Sequence, residues 1–67
     1  MINKKTRLKQ LRLEAGLSQN RLAREANLDR GTVSSAENGN SINEVTASKL
    51  AKALSKVLER RVDIGEF

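Results

Sequence analysis

The sequence predicts an all-α domain, a compact bundle of four or five helices. Three observations carry that expectation. Apolar residues recur at helical spacing along most of the chain: Leu8, Leu11 and Ala15, then Leu22, Ala23 and Ala26, then Val33 and Ala36, then Leu50, Ala51 and Leu54. Alternation over more than three residues is confined to "RVDIGEF" at the end. Between the periodic runs stand residues that start and stop helices, and the chain contains no proline.

The first helix is expected over about 4–15. Its apolar stripe is Leu8, Leu11 and Ala15, and Gly16 behind it suits the left-handed position just past a helix end. From Met1 to Leu13 the chain carries Lys4, Lys5, Arg7, Lys9 and Arg12 and no acidic residue. The second helix is expected over about 19–26, capped by Ser18, with Leu17 and Leu22 at the spacing of a hydrophobic staple. Asn27 follows, one of the few residues that tolerates a left-handed backbone.

The third helix is expected over about 30–38. Asp29 repeats the capping device, flanked by Leu28 and Val33 at staple spacing, and its charge suits the positive end of the helix dipole. Gly39 closes it. Ser41 and Glu44 form an S-x-x-E capping box that opens a fourth helix, expected over about 42–54. Two readings stand beyond Leu54. No Gly or Pro interrupts Ala47 through Arg61, so the helix can run on, or Ser55 can cap a short fifth helix over about 56–61. The break is the favoured expectation.

A chain of 67 residues makes one domain, 1–67, with one small core and a thin margin of stability. It has no cysteine and no histidine, which removes disulfides, the usual metal ligands and the usual general base near neutral pH. Phe67 is the only aromatic residue. The expectation is therefore a protein that is not an enzyme and needs no metal or cofactor. A net charge of +5 and a pI near 10.3 favour a polyanionic partner. No apolar run approaches a membrane span, and the start lacks the apolar region of a signal peptide. A cytoplasmic protein is expected, without a second domain to act as a built-in ligand sensor.

Function concentrates in "QNRLAREANLDRGTVSSAEN", Gln19 to Asn38. Two helices cross steeply through a very short turn only when several conditions coincide. Ala23 supplies the small residue at the crossing, and Asn27 accepts positive φ in the turn. Leu22, Ala26, Leu28, Val33 and Ala36 fill the inward positions. The outward side chains of the second of these helices are Arg, Thr and Ser, poorly equipped to pack and well equipped to enter a groove.

With these residues in place, the chain resembles the lambda-repressor-like helix-turn-helix proteins, also called Cro/CI-type or XRE-type regulators. "LKQLRLEAGLSQNRLA" is similar to the family's first helix and entry to the second, "VSSAENG" to the end of its recognition helix, and "ASKLAKAL" to its fourth helix. The resemblance runs from about Leu8 to Leu54. It implies a bundle whose third helix enters the DNA major groove.

The resemblance also implies roles for particular residues. Arg12 and Glu37 match a buried ion pair that ties helix one to helix three; from the residues alone, two surface charges are the other reading. Gln19, Asn38, Asn40 and Ser41 match positions that hold backbone phosphates, a task suited to small polar groups near helix ends. Base reading falls to Arg30, Gly31, Thr32 and Ser35, with Ser34 close by. Arg30 suits a guanine edge and the Thr32 methyl a thymine methyl, though Arg30 suits a phosphate nearly as well. Two positions depart from the family pattern: Gly31 offers no side chain where a longer polar one is frequent, and Ala36 is smaller than the usual Ile or Leu. Specificity then leans on Arg30 and on DNA shape.

The expected function is a small sequence-specific regulator of double-stranded DNA, a repressor acting as a dimer on a two-fold symmetric operator. The alternative is a protein-binding module of the antiactivator or antitoxin type, whose partner is another regulatory protein. Leu58, Val62, Ile64 and Phe67, with Val57, are candidates for a weak homodimer patch; a core finished by Val57 and Leu58 with a loose tail is the competing reading. A bacterial, phage or mobile-element context is implied by the resemblance alone.

Overall fold

The computed structural model describes residues 4–40 and 42–67. Among the described residues there are four helices, α1 Lys4–Glu14, α2 Gln19–Glu25, α3 Arg30–Glu37 and α4 Glu44–Leu58, followed by a short 3-10 turn at Ile64–Glu66. No strand forms among the described residues. Helix α2 packs on α3 and α4, and α1 lies across α3 and α4. Leu11, Leu22, Val33, Leu50 and Leu54, drawn from all four helices, are fully buried at the centre. Each contributes about 1.5–3 kcal/mol by leaving water, a large share for a domain of this size.

Three of the four helices end in the same way. Gly16, Asn27 and Gly39 take positive φ of 72°, 58° and 86°. In each case the amide of the next residue reaches back to a carbonyl five positions earlier: Leu17 to Arg12 at 3.1 Å, Leu28 to Ala23 at 2.7 Å and Asn40 to Ser35 at 3.1 Å. The left-handed residue itself donates three positions back, to Leu13, Arg24 and Ala36. These paired bonds satisfy carbonyls that a helix end leaves open, and they turn the chain sharply. Leu17 and Leu28 are thereby delivered to the edge of the core. Asn27 thus takes the left-handed turn position that the sequence suggested, between α2 and α3.

The helix starts differ from one another. Ser18 accepts the Arg21 amide at 3.1 Å, a side-chain cap. Asp29 stands in the cap position of α3, yet its side chain makes no cap bond to an amide in good geometry. Its carboxylate takes the Thr32 hydroxyl, a donor that competes for the same oxygen.

The fourth helix departs from expectation at both ends. Its cap is Asn43, whose Oδ1 accepts the Thr46 amide at 2.8 Å, so Glu44 is the first residue of the helix. Asn and Ser are comparable caps, and the sequence offers both two residues apart. Tertiary packing selects Asn43, because Ile42 then lies before the cap and Ala47 after it, and both pack inward. Ser41 lies outside the described residues.

At the other end α4 continues through Leu58, and no fifth helix forms over 56–61. The Ser55 hydroxyl does not cap, because it donates to Ala51 O one turn back at 2.7 Å and accepts the Val62 amide at 2.9 Å. Glu59 adopts a left-handed φ of 55° and turns the chain back. Val62 is consequently only 4% exposed, within the core. Its side chain covers the bundle in the single chain.

Candidate nucleic-acid interface

Helix α3 has eight residues, about 12 Å of axial length, which is close to the width of the B-DNA major groove. Its inward edge is Val33, with Ala36 and Leu28 half-buried beside it. On the other side Arg30 and Gly31 are exposed, and Thr32, Ser34 and Ser35 are half-buried. Gly31, Thr32 and Ser35 come together along a shallow groove of about 330 Å³, whose far wall is Ile42, Asn43 and Thr46. Those three wall residues were not among the sequence candidates. Asn43 and Thr46, at cap spacing, were legible as a helix start but not as part of this surface. A side chain at Gly31 would begin 3.2 Å from the Asp29 carboxylate, a close approach that glycine avoids.

Behind α3 lies a polar tie. Arg12 donates from Nε to Glu37 Oε2 at 2.6 Å and from Nη2 to Glu37 Oε1 at 3.3 Å. Its Nη1 donates to Leu17 O at 2.8 Å, in the turn between α1 and α2. Gln19 Nε2 adds a third bond to the carboxylate, at 3.1 Å from Oε1. Arg12 and Glu37 are each 8% exposed. One carboxylate on α3 therefore gathers donors from α1 and from the first turn of α2, and α3 cannot tilt without breaking them. Burial raises the cost of a lost partner, since water does not replace it.

The phosphate candidates separate on inspection. Gln19 spends one amide hydrogen on Glu37 and keeps a second, so it belongs to the buried tie as well as to the α2 start. Asn38 is exposed at the end of α3. Asn40 is exposed and donates from Nδ2 to Ser35 Oγ at 3.0 Å. Asp29 was overlooked as a site residue, although aspartate three residues ahead of Thr32 was the available signal. The Thr32 hydroxyl, assisted by backbone amides, holds the Asp29 carboxyl below the usual carboxylate range.

Among the apolar tail candidates, Leu58 and Phe67 are half-buried against the core, Val57 is half-buried, and Ile64 is 38% exposed. Leu13 and Val45 are more exposed than any of these, at 58% and 64%. No helix among the described residues is long and apolar enough to cross a membrane.

A family model described as helix-turn-helix matches residues 8–58. The matched stretch contains both α2 and α3, the buried tie and all of the groove residues. No curated protein and no solved structure matches the chain.

Proposed function

The chain belongs to the lambda-repressor-like, XRE-type helix-turn-helix family of DNA-binding regulators, and from that premise we propose a sequence-specific repressor that binds a two-fold symmetric operator as a dimer. Its setting in this reading is the cytoplasm of a bacterium, possessed by the cell or by a phage or mobile element. The observation that supports it most is the outer face of α3, where Arg30 is exposed and Gly31, Thr32 and Ser35 line one groove while Glu37 anchors the same helix from behind. A helix fixed this way enters the major groove without reorganising. In this reading Arg30, Thr32, Ser34 and Ser35 contact base edges, and Gly31 lets the backbone approach. Gln19, Asn38, Asn40 and Ser41 hold phosphates. Bound operator is closed to polymerase, which is repression by occlusion.

One such domain reads a half-site, so symmetry requires two copies. Ile64, with the exposed margins of Leu58 and Phe67, supplies a small apolar area for a weak contact that DNA reinforces. The alternative, a protein-binding module on the same fold, draws on the exposed Leu13 and Val45.

Selection of bound sites from random duplex DNA tests the proposal. The expected product is an inverted repeat with half-site centres about 34–36 Å apart, bound with steep salt dependence. Arg30→Ala is expected to cost about 1–3 kcal/mol on the selected site and much less on random duplex, since a base contact alters the ratio and a phosphate contact does not. Recovery of no motif, with no salt-sensitive affinity for any duplex, rejects this reading in favour of the protein-binding one.

A further inference from the structure

Thr32 and Ser35 both line the groove beside α3, and each hydroxyl already has a partner outside it. The two partners are chemically opposite. Thr32 donates its hydrogen to Asp29, an acceptor-only group when ionised. Ser35 accepts a hydrogen from the Asn40 amide nitrogen, a donor-only group. A serine or threonine hydroxyl is ordinarily an ambiguous reader of bases, because it rotates to donate or accept. Here that ambiguity is removed. Thr32 has only lone pairs left to offer, and Ser35 has its hydrogen left to give.

We infer that Asp29 and Asn40 are specificity-determining positioning residues, which fix Thr32 as an acceptor and Ser35 as a donor towards the DNA bases. The inference rests on the reading role of α3 proposed above. The two hydroxyls stand three residues apart, about 4.5 Å along the helix axis, near the roughly 3.4 Å rise between successive base pairs. They can therefore address neighbouring steps. An acceptor at Thr32 matches the exocyclic amino groups of adenine and cytosine, and it opposes the carbonyl edges of guanine and thymine. An adenine–thymine pair also brings a methyl group within reach of the Thr32 methyl. A donor at Ser35 matches guanine, thymine or adenine N7 and opposes the amino group of cytosine.

The polarity at Thr32 is robust because Asp29 stays ionised under ordinary conditions. Its carboxyl is held below the usual range, chiefly by the same Thr32 hydroxyl.

The test repeats site selection with the whole chain carrying Asp29→Ala, Asn40→Asp or Thr32→Val. In Asp29→Ala the Thr32 hydroxyl regains its hydrogen. Preference for adenine or cytosine at one step should fall by roughly fivefold or more, while the other steps keep theirs. Asn40→Asp obliges Ser35 to donate inward, so preference at its step should invert from guanine or thymine towards cytosine, with adenine accepted by either polarity through N7 or N6. Thr32→Val keeps the shape and removes the acceptor, so it should relax the same step as Asp29→Ala. It also reads that step if loss of Asp29 prevents folding. A merely structural role for Asp29 or Asn40 would lower affinity for all sequences by one factor and leave the profile alone. That outcome, with a motif retained by the parent protein, overturns this inference but not the DNA-reading function. A parent that selects no motif overturns both.

Discussion

Glu37→Gln is the most discriminating perturbation of the fold. In the native domain the Glu37 carboxylate receives two bonds from Arg12, at 2.6 and 3.3 Å, and one from Gln19 at 3.1 Å. An amide of the same shape keeps one acceptor oxygen and turns two hydrogens towards donors. The Arg12 guanidinium retains Leu17 O but loses its counter-charge at a site only 8% exposed. Breaking such a pair from one side costs about 3–5 kcal/mol. At about 0.05–0.15 kcal/mol per residue, the total stability of a domain this size is of order 3–10 kcal/mol. The loss is thus a third of the stability at least, and at the upper end all of it. For a small domain each kcal/mol moves Tm by about 4–8 °C, so a drop of at least about 12 °C is expected by circular dichroism. The pair Arg12→Met with Glu37→Met should be less destabilised than either single change, because no buried charge is then left alone, although Gln19 and Leu17 O lose a partner. A Glu37→Gln melt within two or three degrees of the parent would refute the reasoning. It would mean that the guanidinium finds water as readily as it finds Glu37.

Further outcomes follow from the turn, the tail and the α3 cap. Asn27 at φ 58° predicts that Asn27→Gly is neutral or mildly stabilising, while Asn27→Val costs roughly 1–2 kcal/mol in the same melting assay. Ser55→Ala removes the acceptor of the Val62 amide, and a loss of about 1–3 kcal/mol is expected, with hydrogen exchange at Val62 accelerating more than at Leu50 or Leu54. Asp29 has a folded-state pKa below its unfolded value, so its contribution is present above about pH 4 and disappears as pH falls through the lower folded value. Asp29→Asn should therefore flatten part of the acid limb of stability against pH, and an unchanged acid limb would contradict the Thr32 bond.

The sequence by itself determined the features whose causes lie within a few residues. Left-handed ends at Gly16, Asn27 and Gly39 follow from the residue types and from the apolar periodicity around them, because a Schellman turn closes over six residues. The Ser18 cap and the inward set of Leu11, Leu22, Val33, Leu50 and Leu54 follow in the same way. Where two local solutions were equivalent, tertiary packing chose between them. Asn43 caps α4 with Ile42 before it and Ala47 after it packed inward, and α4 ran past Ser55 because that hydroxyl was needed by Val62 seven residues later. The meeting of Arg12, Gln19 and Glu37 spans up to 25 residues, and from the residues alone Arg12 and Glu37 read as surface charges, with the buried pair implied only by the family resemblance. Only the folded chain excludes water from them. The same holds for the polarity of Thr32 and Ser35, since a hydroxyl's remaining hydrogen-bond capacity depends on which neighbour has already claimed the rest, and neighbours are assigned by the fold.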